Sequence, residues 1–334
     1  MSIIILNNAP FSMKEYTKVL VILGPTATGK TDLALNLAKR FNGELVACDS
    51  RQVYKGLDIG TGKMPGSKAK VEKSDKFWRI DGVRVWMYDV ADPQIQYTVA
   101  NYVKDANKVI NDLLMAKKTP IVVGGTGLYL RALLEGIPNL DIPVDSKLRE
   151  QLQVFTKEKL QQKLKTLSMK RWKQMNGSDR QNPRRLLRSI ELLLMNPYTN
   201  KVQKPKFKAQ KYNLLKIGLT APRDELYKRV DLRILKRIKE GMIEEAAKLH
   251  KEGLSLTRME SLGLEYNCLS KYISGEVKTK EELISMLKGK IHGYVRRQLT
   301  WFSKEKDVLW FDITGANFLT GVEKEVELWY HQGV

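Results

Sequence analysis

The chain is poor in the side chains that build metal centres and redox pairs. It has two cysteines, Cys48 and Cys268, and three histidines, His250, His292 and His331, in 334 residues. No C-x-x-C or H-x-x-x-H pair exists, which excludes the usual zinc signatures and a disulfide framework. The thiol count points to a reducing cytoplasm, and Cys48, at the end of an apolar run, reads as a buried thiol. No apolar run has the length of a membrane span. The apolar start Ile3-Ile4-Ile5-Leu6 is too short, and lacks the preceding basic region, for a secretory signal, so residues 1–18 read as a loose extension. Acidic residues are also scarce relative to basic ones: 37 Asp and Glu against 58 Lys and Arg leave a formal charge of +21. Such an excess points to a polyanionic partner, of which nucleic acid is the commonest.

What the sequence does have is a phosphate loop in its proper setting. Gly24-Pro25-Thr26-Ala27-Thr28-Gly29-Lys30-Thr31 follows the apolar run Val19–Leu23 and precedes a segment with helical spacing, residues 32–40. Strand, glycine loop and helix in that order make G-x-x-x-x-G-K-[ST] a phosphate cradle. Its backbone N–H groups point inward, the helix dipole adds positive potential, Lys30 adds a charge and the Thr31 hydroxyl suits Mg²⁺. The pattern requires a phosphorylated ligand and leaves its identity open.

Residues 19–140 alternate strands and helices, with strands at 19–23, 45–48, 83–88 and 120–123 and a helix over about 98–117. Continuous apolar strands between helices predict an α/β fold, a parallel P-loop sheet flanked by helices. Residues 61–79 read as a long surface loop. Between 141 and 205 helical spacing dominates (Leu148, Leu152, Phe155, Leu160, Leu164, Leu167), which predicts an all-helical insertion. Residues 206–334 return to the sheet with a strand at 213–219, helices at 222–239, 241–252, 258–273 and 280–302, and a last strand at 308–311.

Three further sets of residues carry chemistry. Asp49, in Asp49-Ser50-Arg51-Gln52-Val53-Tyr54, lies just past the second strand, where open parallel sheets bind ligands. It suits a general base, an indirect Mg²⁺ ligand or a helix cap equally. Gly124-Gly125-Thr126-Gly127 follows the strand at 120–123, where many ATPases carry a metal-binding Asp. Thr126 suits either a hydrogen bond to phosphate or a helix cap. Arg184, Arg185 and Arg188, and the pair Arg229 and Arg233, have helical spacing and match phosphate geometry, although ion-paired surface helices look the same. Lys201, Lys204, Lys206, Lys208 and Lys211 form a basic stretch that suits a nucleic-acid backbone or solvent equally. Trp301 and Phe302 read as core.

In order along the chain, G-P-T-A-T-G-K-T, D-S-R-Q-V-Y, I-G-T-G-K, V-G-G-T-G-L-Y and R-R-Q-L-T-W-F resemble the tRNA dimethylallyltransferase (tRNA isopentenyltransferase) family over about residues 19–312. The resemblance implies transfer of a prenyl group from dimethylallyl diphosphate to N6 of the adenosine 3′ of the anticodon in tRNA, with diphosphate in the loop and Mg²⁺ as cofactor. It implies Asp49 as base, and Lys30, Thr126 and Arg233, with Arg229 second, as stabilisers of the leaving group. Ser50, Arg51 and Gln52 would line the pocket of the target base, and Arg149, Arg184, Arg185 and Arg188 would contact tRNA. The chain departs from the family pattern at Val85–Asp89, at Gly263-Leu264-Glu265-Tyr266 and, mildly, at Val295-Arg296-Arg297-Gln298. A monomer is expected. The competing readings are a small-molecule kinase with Asp89 on Mg²⁺, and a nucleic-acid-dependent NTPase.

Overall fold

The computed structural model describes residues 18–65, 69–140, 142–195 and 212–332. They divide into two compact units, one built from residues up to 134 and from 210 onward, the other from residues 135–209. The first unit is an eight-stranded sheet with helices. Its strands are β1 Lys18–Leu23, β2 Gly43–Ala47, β3 Val71–Lys73, β4 Phe77–Ile80, β5 Val83–Trp86, β6 Thr119–Gly124, β7 Asn213–Thr220 and β8 Leu309–Asp312. The order across the sheet is β3-β4-β5-β2-β6-β1-β7-β8.

From β5 to β8 every pairing is parallel, with Leu20 beside Ile121 on one side and Leu215 on the other. β1, β2 and β6 are buried along almost their whole length, as expected of strands covered on both faces. The helices between them bury one stripe each. In α1 (Lys30–Arg40) that stripe is Leu33, Ala34, Leu37 and Ala38, with Leu35 buried beside it, and in α2 (Val99–Met115) it is Tyr102, Val103, Ala106, Ile110 and Leu113. Thr98 and Asn101 close a reciprocal capping box at the start of α2. α3 (Gly127–Leu134) follows β6 directly.

The segment read as a long loop over 61–79 is in part sheet. β3 and β4 lie within and just past it and pair antiparallel with each other, and β4 pairs antiparallel with β5. Their alternation is carried by few residues: Trp78 and Ile80 are buried while Phe77 and Arg79 are only half so. The lysine-rich run before them masks that signal.

After β7 come α9 (Arg223–Lys239), α10 (Met242–Lys251), α11 (Leu256–Leu262), α12 (Leu264–Ile273), α13 (Lys280–Phe302) and, beyond β8, α14 (Phe318–His331). The single helix expected over 258–273 is two. Gly263 has φ +80° and Leu264 φ +41°, left-handed values that end one helix and redirect the next. α14 lies beyond the last element that the sequence predicts. It buries Val322, Val326 and Trp329.

The second unit holds α4 (Ser146–Gln153), α5 (Lys157–Leu167), α6 (Met169–Gln174), α7 (Gly177–Arg180) and α8 (Pro183–Met195). Its core is Leu152, Leu160, Leu164, Met175, Leu186 and Ile190. Side chains of Asp145, Thr156, Ser168 and Asn176 cap successive helices. Of the expected loose extension, residues 1–17 lie outside the described residues, as does the basic stretch Lys201–Lys211, while Lys18, the last residue of that expected extension, instead begins β1. Among the described residues no helix is long and apolar enough to cross a membrane.

Candidate active site

β1 gives way to Gly24, whose φ of +141° and missing side chain let the chain pass close to β7; a Cβ there would collide with the carbonyl of Leu219. Ala27 and Gly29 take left-handed conformations that close the loop before α1 begins at Lys30. The loop is held from inside. Thr28 is buried and donates to the Pro25 carbonyl at 2.9 Å, and Lys30 Nζ donates to the same oxygen at 2.6 Å. Thr26, Ala27, Gly29, Lys30 and Thr31 line a cavity of about 650 Å³. Gly24, Pro25 and Thr28 build the loop from behind.

Asp49 lines the same cavity, with Arg51 and Gln52. It sits in the turn that leaves β2, and its Oδ1 accepts from the Arg51 N–H at 2.9 Å, which fixes the side chain over the turn. Ser50 N–H donates to Thr126 Oγ1 at 3.1 Å, and Thr126 N–H donates to the Cys48 carbonyl at 3.3 Å. Thr126 thus ties the Asp49 turn to the glycine loop after β6. Arg51 reaches away from the turn, donating through Nε to the Leu262 carbonyl at 3.0 Å and through Nη1 to Ser50 Oγ at 2.9 Å. The carbonyl it uses is one that the break between α11 and α12 frees. Gln52 Nε2 donates to the carbonyls of Thr61 and Gly62.

α9 supplies the cations. Arg233 Nη1 donates to Thr26 Oγ1 at 3.1 Å, and Arg229 Nη1 to the Ala27 carbonyl at 3.3 Å while its Nε pairs with Glu225. One turn further along, Arg237 also lines the cavity. Burial, then the neighbouring Arg233 charge, lowers the Lys30 pKa to about 7, with Asp49 opposing. Burial, then the charge of Arg237, lowers Arg233 to about 9, with Glu265 and Asp49 opposing. The cavity is therefore a place where cations crowd out of water, with Asp49 and Glu265 among the carboxylates that face them.

Several residues to which the sequence assigns no role, some of them inside its motifs, complete the site. Gln298, buried on α13, accepts from the Thr26 N–H and donates to the Gly125 carbonyl, both at 2.9 Å. Tyr88 and Tyr294 also line the wall. Burial, then the Asp49 charge, pushes both phenols up, Tyr294 to about 12. The strip Leu57–Lys63 is fastened below them. Glu245 accepts from the N–H groups of Asp58, Ile59 and Gly60. Lys63, fully buried, donates to the Tyr54 carbonyl and pairs with Asp58 and Asp89. Asp89 also accepts from Trp78 Nε1 at 2.7 Å. The carboxylate that the kinase reading needs for Mg²⁺ is thereby committed to the strip.

The arginines of the helical unit separate into two kinds. Glu191, fully buried, accepts from Arg149 at 3.0 and 3.1 Å and from Arg188 at 2.5 Å, and Arg188 also donates to the carbonyls of Asn139, Ile142 and Pro143. Arg149 and Arg188 brace their own unit. Arg184 and Arg185 are exposed, the latter paired with Asp179. Of the pair read as core, Phe302 is buried, whereas Trp301 is half-exposed and its ring covers Gly127.

Residues 52–305 match the family described as IPP transferase. A tRNA dimethylallyltransferase 2 of Treponema denticola is 37% identical over 294 residues, which cover 88% of this chain and 94% of that one. The crystal structure of a full-length tRNA isopentenylpyrophosphate transferase from Bacillus halodurans superposes with a TM-score of 0.67 at 32% identity, covering 95% of this chain and 97% of that one. A eukaryotic dimethylallyltransferase acting on tRNA, at 22% identity and a TM-score of 0.71, shares the fold. With the phosphate loop, the carboxylate opposite it and this extent of similarity, the chain belongs to the IPP transferase family.

Proposed function

We propose that the protein transfers a dimethylallyl group from dimethylallyl diphosphate to N6 of the adenosine 3′-adjacent to the anticodon in tRNA and releases diphosphate. The observation that carries this reading is that Asp49 and Lys30 line one cavity. An anion cradle and a potential base thus address the same space. Family membership and the chain's +21 charge support the acceptor's being an RNA.

In the proposed reaction N6 attacks the allylic C1 of the donor while the C1–O bond to diphosphate breaks. An exocyclic amine conjugated to a purine is a weak nucleophile, so Asp49 takes its proton as the C–N bond forms. The electron pair of the broken bond stays on diphosphate. Loop N–H groups, Lys30 and Arg233 stabilise that growing charge, and Arg229 is placed to assist. Thr126 holds the Asp49 turn in register with the loop. To reach the cavity the base leaves its stack, and Arg51 and Gln52 form part of its wall. Arg184 and Arg185 are the exposed candidates for tRNA backbone contact.

Magnesium is the proposed cofactor. Thr31, Asp32 and Asp49 line the cavity and offer the hard oxygen donors this ion takes. Thr31 would hold it beside the diphosphate, with phosphate oxygens and water as further ligands. Bound there, it would neutralise charge on the leaving group. Both cysteines are free and buried, which suits the cytoplasm.

The test is incubation with labelled dimethylallyl diphosphate, Mg²⁺ and a tRNA with adenosine after its anticodon. Label in the tRNA with release of diphosphate supports the reading. ATP hydrolysis with no label transfer overturns it in favour of an NTPase.

A further inference from the structure

Arg237 stands on α9 one turn after Arg233, and its side chain is about nine-tenths buried. One edge of its guanidinium is committed: Nη1 donates to the Gly60 carbonyl at 3.0 Å and to Glu265 at 3.4 Å. The other nitrogen, Nη2, is buried and has no hydrogen-bond partner among the described residues. An unpaired N–H on a buried charged group is costly, because water no longer solvates it and nothing replaces the water. The cost is raised by a like charge. Nη2 of Arg237 and Nη2 of Arg233 converge on the same face of Gly62, so closely that a Cβ at that glycine would collide with both. Gly62 is at φ +71° and belongs to the strip held by Glu245 and Lys63. Two guanidinium groups are therefore pressed together at the cavity wall, with Glu265 the carboxylate paired to one of them.

A small dispersed anion is what such a pair accepts. Planar guanidinium groups match phosphoryl oxygens, and a shared oxyanion relieves both the missing hydrogen bond and the mutual repulsion. We propose that Arg237 and Arg233 together form a second seat for a phosphoryl oxyanion, beside the phosphate loop and lined by Gly62. The proposal rests on the diphosphate reading above and extends it to a residue that no motif marks. Arg233 already reaches Thr26 of the loop, so the donor's diphosphate is the nearer source of the oxyanion. The backbone phosphate of the acceptor RNA has the same chemistry.

The experiment measures binding of inorganic diphosphate and, separately, of tRNA to the full chain, to Arg237→Met and to Arg237→Met combined with Glu265→Leu. The double variant removes the carboxylate that the single one would strand. Loss of one charged hydrogen bond corresponds to about a tenfold to hundredfold weaker binding. That loss for diphosphate in both variants, with the double variant folded and no longer stabilised against heat by diphosphate, supports the seat and assigns its oxyanion to the donor. The same loss for tRNA alone supports the seat and assigns it to the RNA backbone. Wild-type affinity for both ligands in the double variant overturns the proposal. A wild-type chain that transfers no label to tRNA instead overturns the reading beneath it.

Discussion

Gln298 accepts a hydrogen bond from the backbone N–H of Thr26 at 2.9 Å, across 272 residues of sequence. The same side-chain amide donates to Gly125, so one buried group spans the two glycine loops. Replacing it with Met keeps the volume and removes both bonds. The expected result is a stability loss of about 1–3 kcal/mol, read by chemical denaturation, with weaker diphosphate binding. Unchanged diphosphate affinity would show that the loop holds its shape without this brace.

Asp49→Asn keeps an oxygen for the Arg51 N–H and removes the basic site. Single-turnover prenyl transfer should fall by about a hundredfold to ten-thousandfold, while tRNA binding in a filter assay stays within a few-fold of wild type. Equal transfer rates would remove Asp49 from the proton-accepting role.

The Lys30 pKa of about 7 makes diphosphate binding pH-dependent. The anion favours the charged ammonium and raises its pKa in the complex. Well below pH 7 the lysine is charged in both states, so its attraction for the anion is fully present and affinity does not vary with pH through it. Above pH 7 the free chain loses the proton that the complex keeps, so binding takes up a proton and weakens as pH rises. Calorimetry at pH 8 in buffers of different ionisation enthalpy should register that uptake. Lys30→Arg, with a group that does not titrate there, should lose this share of the pH dependence.

The four arginines of the helical unit should separate in the laboratory as they do in space. Ala at Arg184 and Arg185 should weaken tRNA binding and lower its salt slope by roughly one to two, with unit stability retained. Glu191→Leu should act oppositely, destabilising the chain by about 3 kcal/mol through the guanidinium groups left behind. Burial raises the Glu191 carboxyl, but the hydrogen bonds of Arg149 and Arg188 outweigh it and hold the group below the ordinary carboxylate range. Its contribution to stability is present at neutral pH and is lost as acid protonates it, so the acid limb of a wild-type denaturation profile should be shallower in the variant. A wild-type salt slope in the Arg184 and Arg185 variant would take the tRNA contact elsewhere.

The sheet core and the phosphate loop were legible because each rests on local order: apolar runs, glycine spacing, a helix start. Asp49 was legible for the same reason, since it lies just past the carboxyl end of a parallel strand, where such sheets bind ligands. Arg237 was not, although it continues the spacing of Arg229 and Arg233, because a basic residue on a basic helix looks solvated until the strip carrying Gly62 is seen across from it. The partners of Arg149 and Arg188 were hidden likewise. Nothing in the sequence marks Glu191 as the fully buried acid that claims them. The β3–β4 hairpin escaped because its strands are three and four residues long.

β1 sits between β6 and β7, with Lys18 beside Asn213 in the finished sheet. During synthesis the first strand must wait for nearly two-thirds of the polypeptide before its second neighbour leaves the ribosome. Arg233 and Gln298 emerge later still. A nascent chain released early would carry the glycine loop with neither the arginines of α9 nor its brace, so the competent cradle is a late product of folding, and chains interrupted before α13 should turn over no donor.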